Sequence, residues 1–138
     1  MSDKTIIYDY LKANQYMGLA TSDKHGKPEV ATVKYVLDGD SLLLNTFVHY
    51  RKYRNLVDNP VVACVVTTGH ERTLQFEGTV EELKGSAAED AKTKMLAVDP
   101  EFGKFFINED TRFFRITPDW MRLRDYTVTP MLVTEYKP

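Results

Sequence analysis

From Arg72 to Leu83 the chain alternates side by side: Leu74, Phe76 and Val80 point one way, Thr73, Gln75, Glu77, Thr79 and Glu81 the other. A period of two sustained over that length is a β-strand with one face on a core. A strand that long needs partners along both edges, and the rest of the sequence supplies them. Gly78 interrupts the run and marks a bulge or a bend.

The neighbouring segments read in the same way. Tyr16 to Thr21 is a short apolar strand, followed by the dense turn signal Ser22-Asp23-Lys24-His25-Gly26-Lys27-Pro28. Val30 to Leu37 places Ala31, Val33, Tyr35 and Leu37 on one face and Thr32 and Lys34 on the other. Asp38-Gly39-Asp40 is a hairpin turn into a strand from Ser41 to Thr46. Val61 to Thr67 has no polar face, so it is expected to be buried on both sides. Arg112 to Thr117, Trp120 to Asp125 and Met131 to Tyr136 bring the candidate segments to eight, read as about seven strands. Helices are expected at residues 3–13, capped by Ser2, at 50–57, and at 87–97, where Ser86 and Glu89 form a capping box. Asp58-Asn59-Pro60 and Asp99-Pro100 end the last two, and a helical turn follows near Glu101 to Phe106.

Many strands joined by short turns imply a closed or nearly closed barrel, which removes exposed edges. The expected class is therefore mainly β, a β-barrel with inserted helices, in a single domain over 1–138. Phe105, Phe106, Phe113, Phe114, Trp120 and Tyr126 crowd the C-terminal part. A small barrel cannot bury them all, and a dimer interface accounts for the surplus.

A net charge of −2, with both signs spread along the chain, excludes a large basic nucleic-acid face. No run approaches the ~18 apolar residues that span a bilayer, and no long apolar leader precedes the first helix. The one cysteine, Cys64, lies in an apolar run and reads as a small buried hydrophobe. These features point to a cytoplasmic protein. His25, His49 and His70 lie on separate loops, with no metal-ligand spacing and no nucleophile–base pair. Hydrolase and metalloenzyme readings are unsupported.

The chemistry concentrates in Leu44-Asn45-Thr46-Phe47-Val48-His49-Tyr50-Arg51-Lys52, the end of a strand, a tight loop and a helix opening with two cations. A hydroxyl, free backbone N–H groups at a helix N-terminus and adjacent Arg and Lys suit a phosphate.

The order of the pieces resembles the pyridoxamine-phosphate-oxidase-like family of FMN-binding split barrels. The resemblance rests on Leu19-Ala20-Thr21 before the Gly26-Lys27-Pro28 turn, on Thr46 followed by Arg51-Lys52, and on Asn59-Pro60 before an apolar strand. Arg72-Thr73-Leu74 with Gly78, and Arg122-Leu123-Arg124-Asp125, extend it over most of residues 16–126. It implies a six-stranded antiparallel split β-barrel and a homodimer with FMN at the interface. Asn45, Thr46, Arg51 and Lys52 would surround the phosphate, and Thr32, Val33 and Lys34 would run beside the isoalloxazine ring. Thr73 and Gln75 would touch the cofactor from the neighbouring strand, and Trp120 and Arg122 from the other subunit. Phe47 and Tyr50 depart from the family's polar phosphate loop, Thr73 replaces a Gln and Arg124 a His. These departures argue against pyridoxamine phosphate as substrate.

The implied function is an FMN-dependent oxidoreductase acting on a small-molecule redox substrate, with a nicotinamide nucleotide as a candidate electron donor. The alternative is a non-catalytic stress or carrier protein holding a flavin or related cofactor. Deazaflavin and haem rank lower, and a ligand-free interaction module is a third reading.

Overall fold

A computed structural model describes all residues, 1–138. The elements in chain order are α1 (Asp3–Lys12), β1 (Tyr16–Ser22), β2 (Pro28–Lys34), β3 (Val36–Asp38), β4 (Ser41–Phe47) and α2 (Arg51–Asp58). They continue with β5 (Val61–Thr68), β6 (Arg72–Leu83), α3 (Ser86–Val98), a 3-10 turn (Pro100–Phe102), α4 (Gly103–Phe106), β7 (Thr111–Asp125) and β8 (Leu132–Tyr136). All strand pairings are antiparallel, in the order β2-β1-β5-β6-β7-β4-β3, with β8 on the free part of β7. No helix is long and apolar enough to cross a membrane.

The inner face of this curled sheet closes over Leu19, Leu44, Cys64, Phe76, Phe114 and Met121, and α1 plugs it with Ile7 and Leu11. Ser2 caps α1 as expected, its Oγ accepting the Thr5 N–H at 3.2 Å. A second, smaller core lies outside β4, where Val36, Leu43 and Phe113 meet Ala91 and Met95 of α3 and Phe102 and Phe106 beyond it.

The main-β barrel class with inserted helices holds, but five details differ from the sequence reading. The segment Val30 to Leu37 is two strands, because the chain breaks at Tyr35. That residue donates its N–H to Gln15 O at 3.0 Å and its hydroxyl to Leu11 O at 2.6 Å. The break lets the chain pass from one end of the sheet, β2, to the other, β3.

Conversely, residues 112–117 and 120–125 belong to one 15-residue strand. Pro118 does not end it, because it lies opposite Gly78 at the register shift of β6. A Cβ on Gly78 would sit 2.4 Å from Thr117 O, so the two backbones meet there only because no side chain intervenes. The Ser86–Glu89 capping box does not form. Gly85, at φ 60°, is the N-cap residue of α3 and no side chain caps it.

Two-sided burial falls on β4, whose Leu42, Leu43 and Leu44 are all fully buried, and not on β5. In β5 only Val62, Cys64 and Val66 are inside, while Val61, Ala63 and Val65 are exposed. The strand count is eight, where seven were expected from the pattern and six from the resemblance.

Candidate functional site

Curling brings the edge strand β2 opposite β4, which stands near the other end of the sheet. The seam between them is a groove of about 400 Å³, within the usual range of cofactor clefts. Thr32, Val33 and Lys34 form one wall, and Asn45, Thr46 and Phe47 the other. Tyr50 and Lys52 join the lining from the start of α2, and Glu101, Phe102, Lys104 and Phe105 from the segment after α3. Tyr16 completes the lining.

Six of the residues singled out from the sequence therefore meet in one place: Thr32, Val33, Lys34, Asn45, Thr46 and Lys52. The hydroxyl of Thr46 is buried there without a hydrogen-bond partner. An unsatisfied buried polar atom costs about 1–3 kcal/mol, so it marks a position that a ligand atom would satisfy. Helix α2 opens beside it at Tyr50 with no side-chain cap, leaving its first N–H groups free.

Of the groove's three lysines, Lys34 is held by Asp99, and Lys104 pairs with Glu101 at 3.4 Å. Lys52 is left without a carboxylate partner, with its Nζ 5.6 Å from the Tyr50 ring centroid. Burial holds its ammonium below the usual lysine range, against a smaller opposing pull from Glu29. A desolvated cation, an orphan hydroxyl and an uncapped helix start have the chemistry that suits an anion. Phe47, His49 and Tyr50 pack against one another above it, with Phe47 and Tyr50 rings edge-on at 5.2 Å.

Arg51 lies elsewhere. Its side chain is 77% exposed, with Nε 3.8 Å from Glu29 Oε2, in a separate depression with Asp23, Lys27 and Arg54. Successive helix positions diverge by about 100°, so adjacent Arg and Lys cannot both face one ligand from the first turn. Thr73, Gln75, Trp120 and Arg122 also lie outside the groove, on the outer face of β6 and β7. There Gln75 Oε1 accepts from Arg124 at 2.7 Å, and Trp120 Nε1–H donates to Glu135 at 2.6 Å. The Arg122 guanidinium stacks 4.8 Å from the Trp120 ring.

The register shows how these two sets relate. Thr32 pairs with Gly18, Gly18 with Val65, Val65 with Gln75 and Gln75 with Arg122. They make one row across the outer face, and Thr32 and Gln75 are three strands apart, about 14 Å. The next row, Val30, Ala20, Ala63, Glu77 and Trp120, runs parallel to it. The middle of this face is apolar and bare.

Sequence reading did not assign Tyr16, Glu101, Phe102, Lys104 or Phe105 to the site. The last four come from a helical arm far along the chain. The available signal was the pair of aromatics, Phe102 and Phe105, one helical turn apart directly after the Asp99-Pro100 stop.

Among curated proteins, none matches the chain significantly. Solved structures share its fold at low identity. A pyridoxamine 5'-phosphate oxidase-related, FMN-binding protein from Nostoc punctiforme aligns with a TM-score of 0.70 at 14% identity, over 98% of this chain and 84% of that one. A haem storage protein from Vibrio cholerae gives 0.68 at 20% identity, over 86% and 91%. A protein of unknown function from Agrobacterium tumefaciens gives 0.81 at 16% identity, over 92% and 57%. The family model described as pyridoxamine 5'-phosphate oxidase matches residues 7–125, and with most of the sequence inside that match, the chain belongs to this family.

Proposed function

We propose that the protein binds FMN in the groove between β2 and β4 and acts as a flavin-dependent oxidoreductase. The observation that carries this reading is the buried, unpartnered Thr46 hydroxyl, set beside the uncapped start of α2 and the unpaired Lys52. These groups suit one terminal phosphate, and the rest of the groove suits a flat, mostly uncharged body. Tyr16, Phe102 and Phe105 offer aromatic surface to a ring, and Thr32 and Asn45 offer polar atoms to its edges. No His, Cys or Met lines the groove, and its two tyrosines, Tyr16 and Tyr50, have lysine ammonium groups over their rings, so the residues suit a flavin better than haem.

The flavin supplies hydride and electron transfer; the chain's own residues hold the phosphate, set the ring's place and limit access of water. In this reading the protein is a homodimer. Gln75, Trp120 and Arg122 are too far across the sheet to reach a ligand in their own groove. The bare apolar rows joining them to Thr32 suit a second copy, whose groove they would complete. The substrate is a small redox-active molecule, and a nicotinamide nucleotide is the electron donor to test first.

The test is an FMN titration followed by flavin fluorescence, on the wild type, Thr46→Val and Lys52→Ala. Wild type should bind saturably, and each variant about tenfold more weakly, or roughly 1.4 kcal/mol. Thr46→Val should also make the ligand-free protein more stable, by up to about 1 kcal/mol, since the orphan hydroxyl is gone. A wild type that ignores FMN, or variants that bind it as tightly, would overturn the assignment. Reduction of the bound flavin by a nicotinamide nucleotide then separates an enzyme from a carrier.

A further inference from the structure

The β2 wall of the groove, opposite Thr46, depends on a residue that neither the motifs nor the phosphate argument involve. Asp99 closes α3, and its two carboxylate oxygens have separate tasks. Oδ1 accepts the Glu101 N–H at 3.0 Å, which starts the 3-10 turn and so places Phe102 and Phe105 over the groove. Oδ2 accepts from Lys34 Nζ. The lysine is held on its other sides by aromatic faces, with Nζ 4.9 Å from the Phe102 centroid and 5.8 Å from that of Tyr16.

Both partners are mostly buried, with side chains 19% and 26% exposed. Their pairing with each other, and the Glu101 amide, hold the Asp99 carboxyl below the usual aspartate range. Behind the pair lies a second cavity of about 590 Å³, lined by Leu11, Tyr35 and Val98, which shares Lys34 and Phe102 with the groove. The ion pair thus forms part of the partition between the two spaces.

The groove is electrically one-ended as a result. At Thr46 and Lys52 it offers an uncompensated cation. At Lys34 the positive charge is already matched. A ligand with its phosphate at Thr46 and Lys52 leaves its ring to the rest of the groove, which Lys34 also lines.

We propose that Asp99 is a positioning residue for the cofactor groove: by pairing Lys34 it leaves a single anion-binding end and holds the ring end neutral. The consequence for a flavin is specific. Reduction by two electrons and one proton leaves a negative charge on the ring near neutral pH, while the oxidised ring is uncharged. Asp99 therefore withholds the Lys34 charge from the reduced ring, and keeps the bound flavin a stronger reductant than the same groove would without it.

This inference rests on FMN occupying the groove. The experiment is the midpoint potential of bound FMN, by equilibration with a reference dye, together with the affinity for oxidised FMN, in wild type and Asp99→Asn. Asparagine caps the Glu101 amide as aspartate does, so the turn is kept and only the charge is removed. The reduced-to-oxidised affinity ratio should rise about tenfold, a potential about 30 mV higher for a two-electron couple. Oxidised FMN should bind within about threefold of wild type. Asp99→Glu should restore the wild-type potential, and Lys34→Met in the Asp99→Asn background should cancel the rise, which a merely structural role would not produce. If the Asn variant does not fold, Asp99→Ser, which also caps, carries the same prediction.

A potential unchanged or lowered in a variant that binds FMN overturns the inference and leaves the flavin reading intact. No FMN binding to the wild type overturns both.

Discussion

Strands β4 and β5 each carry an unbroken apolar run, and the two runs meet opposite fates. Leu42-Leu43-Leu44 is buried on both sides, because α3 and the arm beyond it lie over the outer face of β4 with Ala91, Met95, Phe102 and Phe106. Val61 to Val66 is buried on one side only, and Val61, at 61% exposure, Ala63 and Val65 face outward with nothing from the chain above them. Apolar sequence on both faces of a strand states a need for cover; it does not say where the cover comes from. For β4 the same chain supplies it. For β5 the proposed second copy would supply it, lying on the row from Thr32 through Val65 to Gln75 and Arg122.

The sharpest way to break this comparison is to truncate one outward residue on each strand. Leu43→Ala removes a fully buried side chain between β4 and α3 and should cost about 2–5 kcal/mol in urea unfolding. Val65→Asp should act differently. It should weaken self-association at least tenfold by sedimentation, about 1.4 kcal/mol, and weaken FMN binding with it. Stability measured well below the dimer's dissociation constant should change by no more than about 0.5 kcal/mol. A monomeric wild type, or a Val65→Asp variant as dimeric as wild type, would remove the second copy from the account.

The smallest effect belongs to the inner side of β5. Burial pushes the Cys64 thiol up to about 12, so its thiolate stays scarce through the mildly alkaline range. A thiol reagent at about pH 8 should therefore label Cys64 only on unfolding, in both wild type and Val65→Asp. Rapid labelling of native Val65→Asp alone would mean that the outer substitution had opened the inner face.

The elements that were legible are those where local chemistry decides. Ser2 caps α1, Gly39 makes the hairpin turn at φ 61°, Asn59-Pro60 separates α2 from β5, and Gly78 marks the bulge. Two of the misreadings share a cause: a local signal was outweighed by a partner far along the chain. Arg112 to Thr117 and Trp120 to Asp125 looked like two strands, but β6 pairs with both and shifts register between them at Gly78. Val30 to Leu37 looked like one strand, but Gln15 takes the Tyr35 amide and splits it. Ser86 and Glu89 spelled a capping box, but Gly85 enters α3 with a positive φ and leaves it unformed.

The site divides along the same line. Thr46 and Lys52 were visible because a phosphate loop is local: one strand end, one tight turn, one helix start. Arg51 was grouped with them, and helix geometry alone turns it away.

The sequence by itself determined a mainly β chain with a hydroxyl, a tight loop and a cation-bearing helix start after β4, since alternation, turn residues and helix starts act over a few residues. Only the tertiary structure decided that β2 faces β4 across a groove, that Asp99 pairs with Lys34, and that the bare side of the sheet is β5's. Those outcomes depend on how the sheet curls and where α3 lands, and each joins residues that no short-range pattern links.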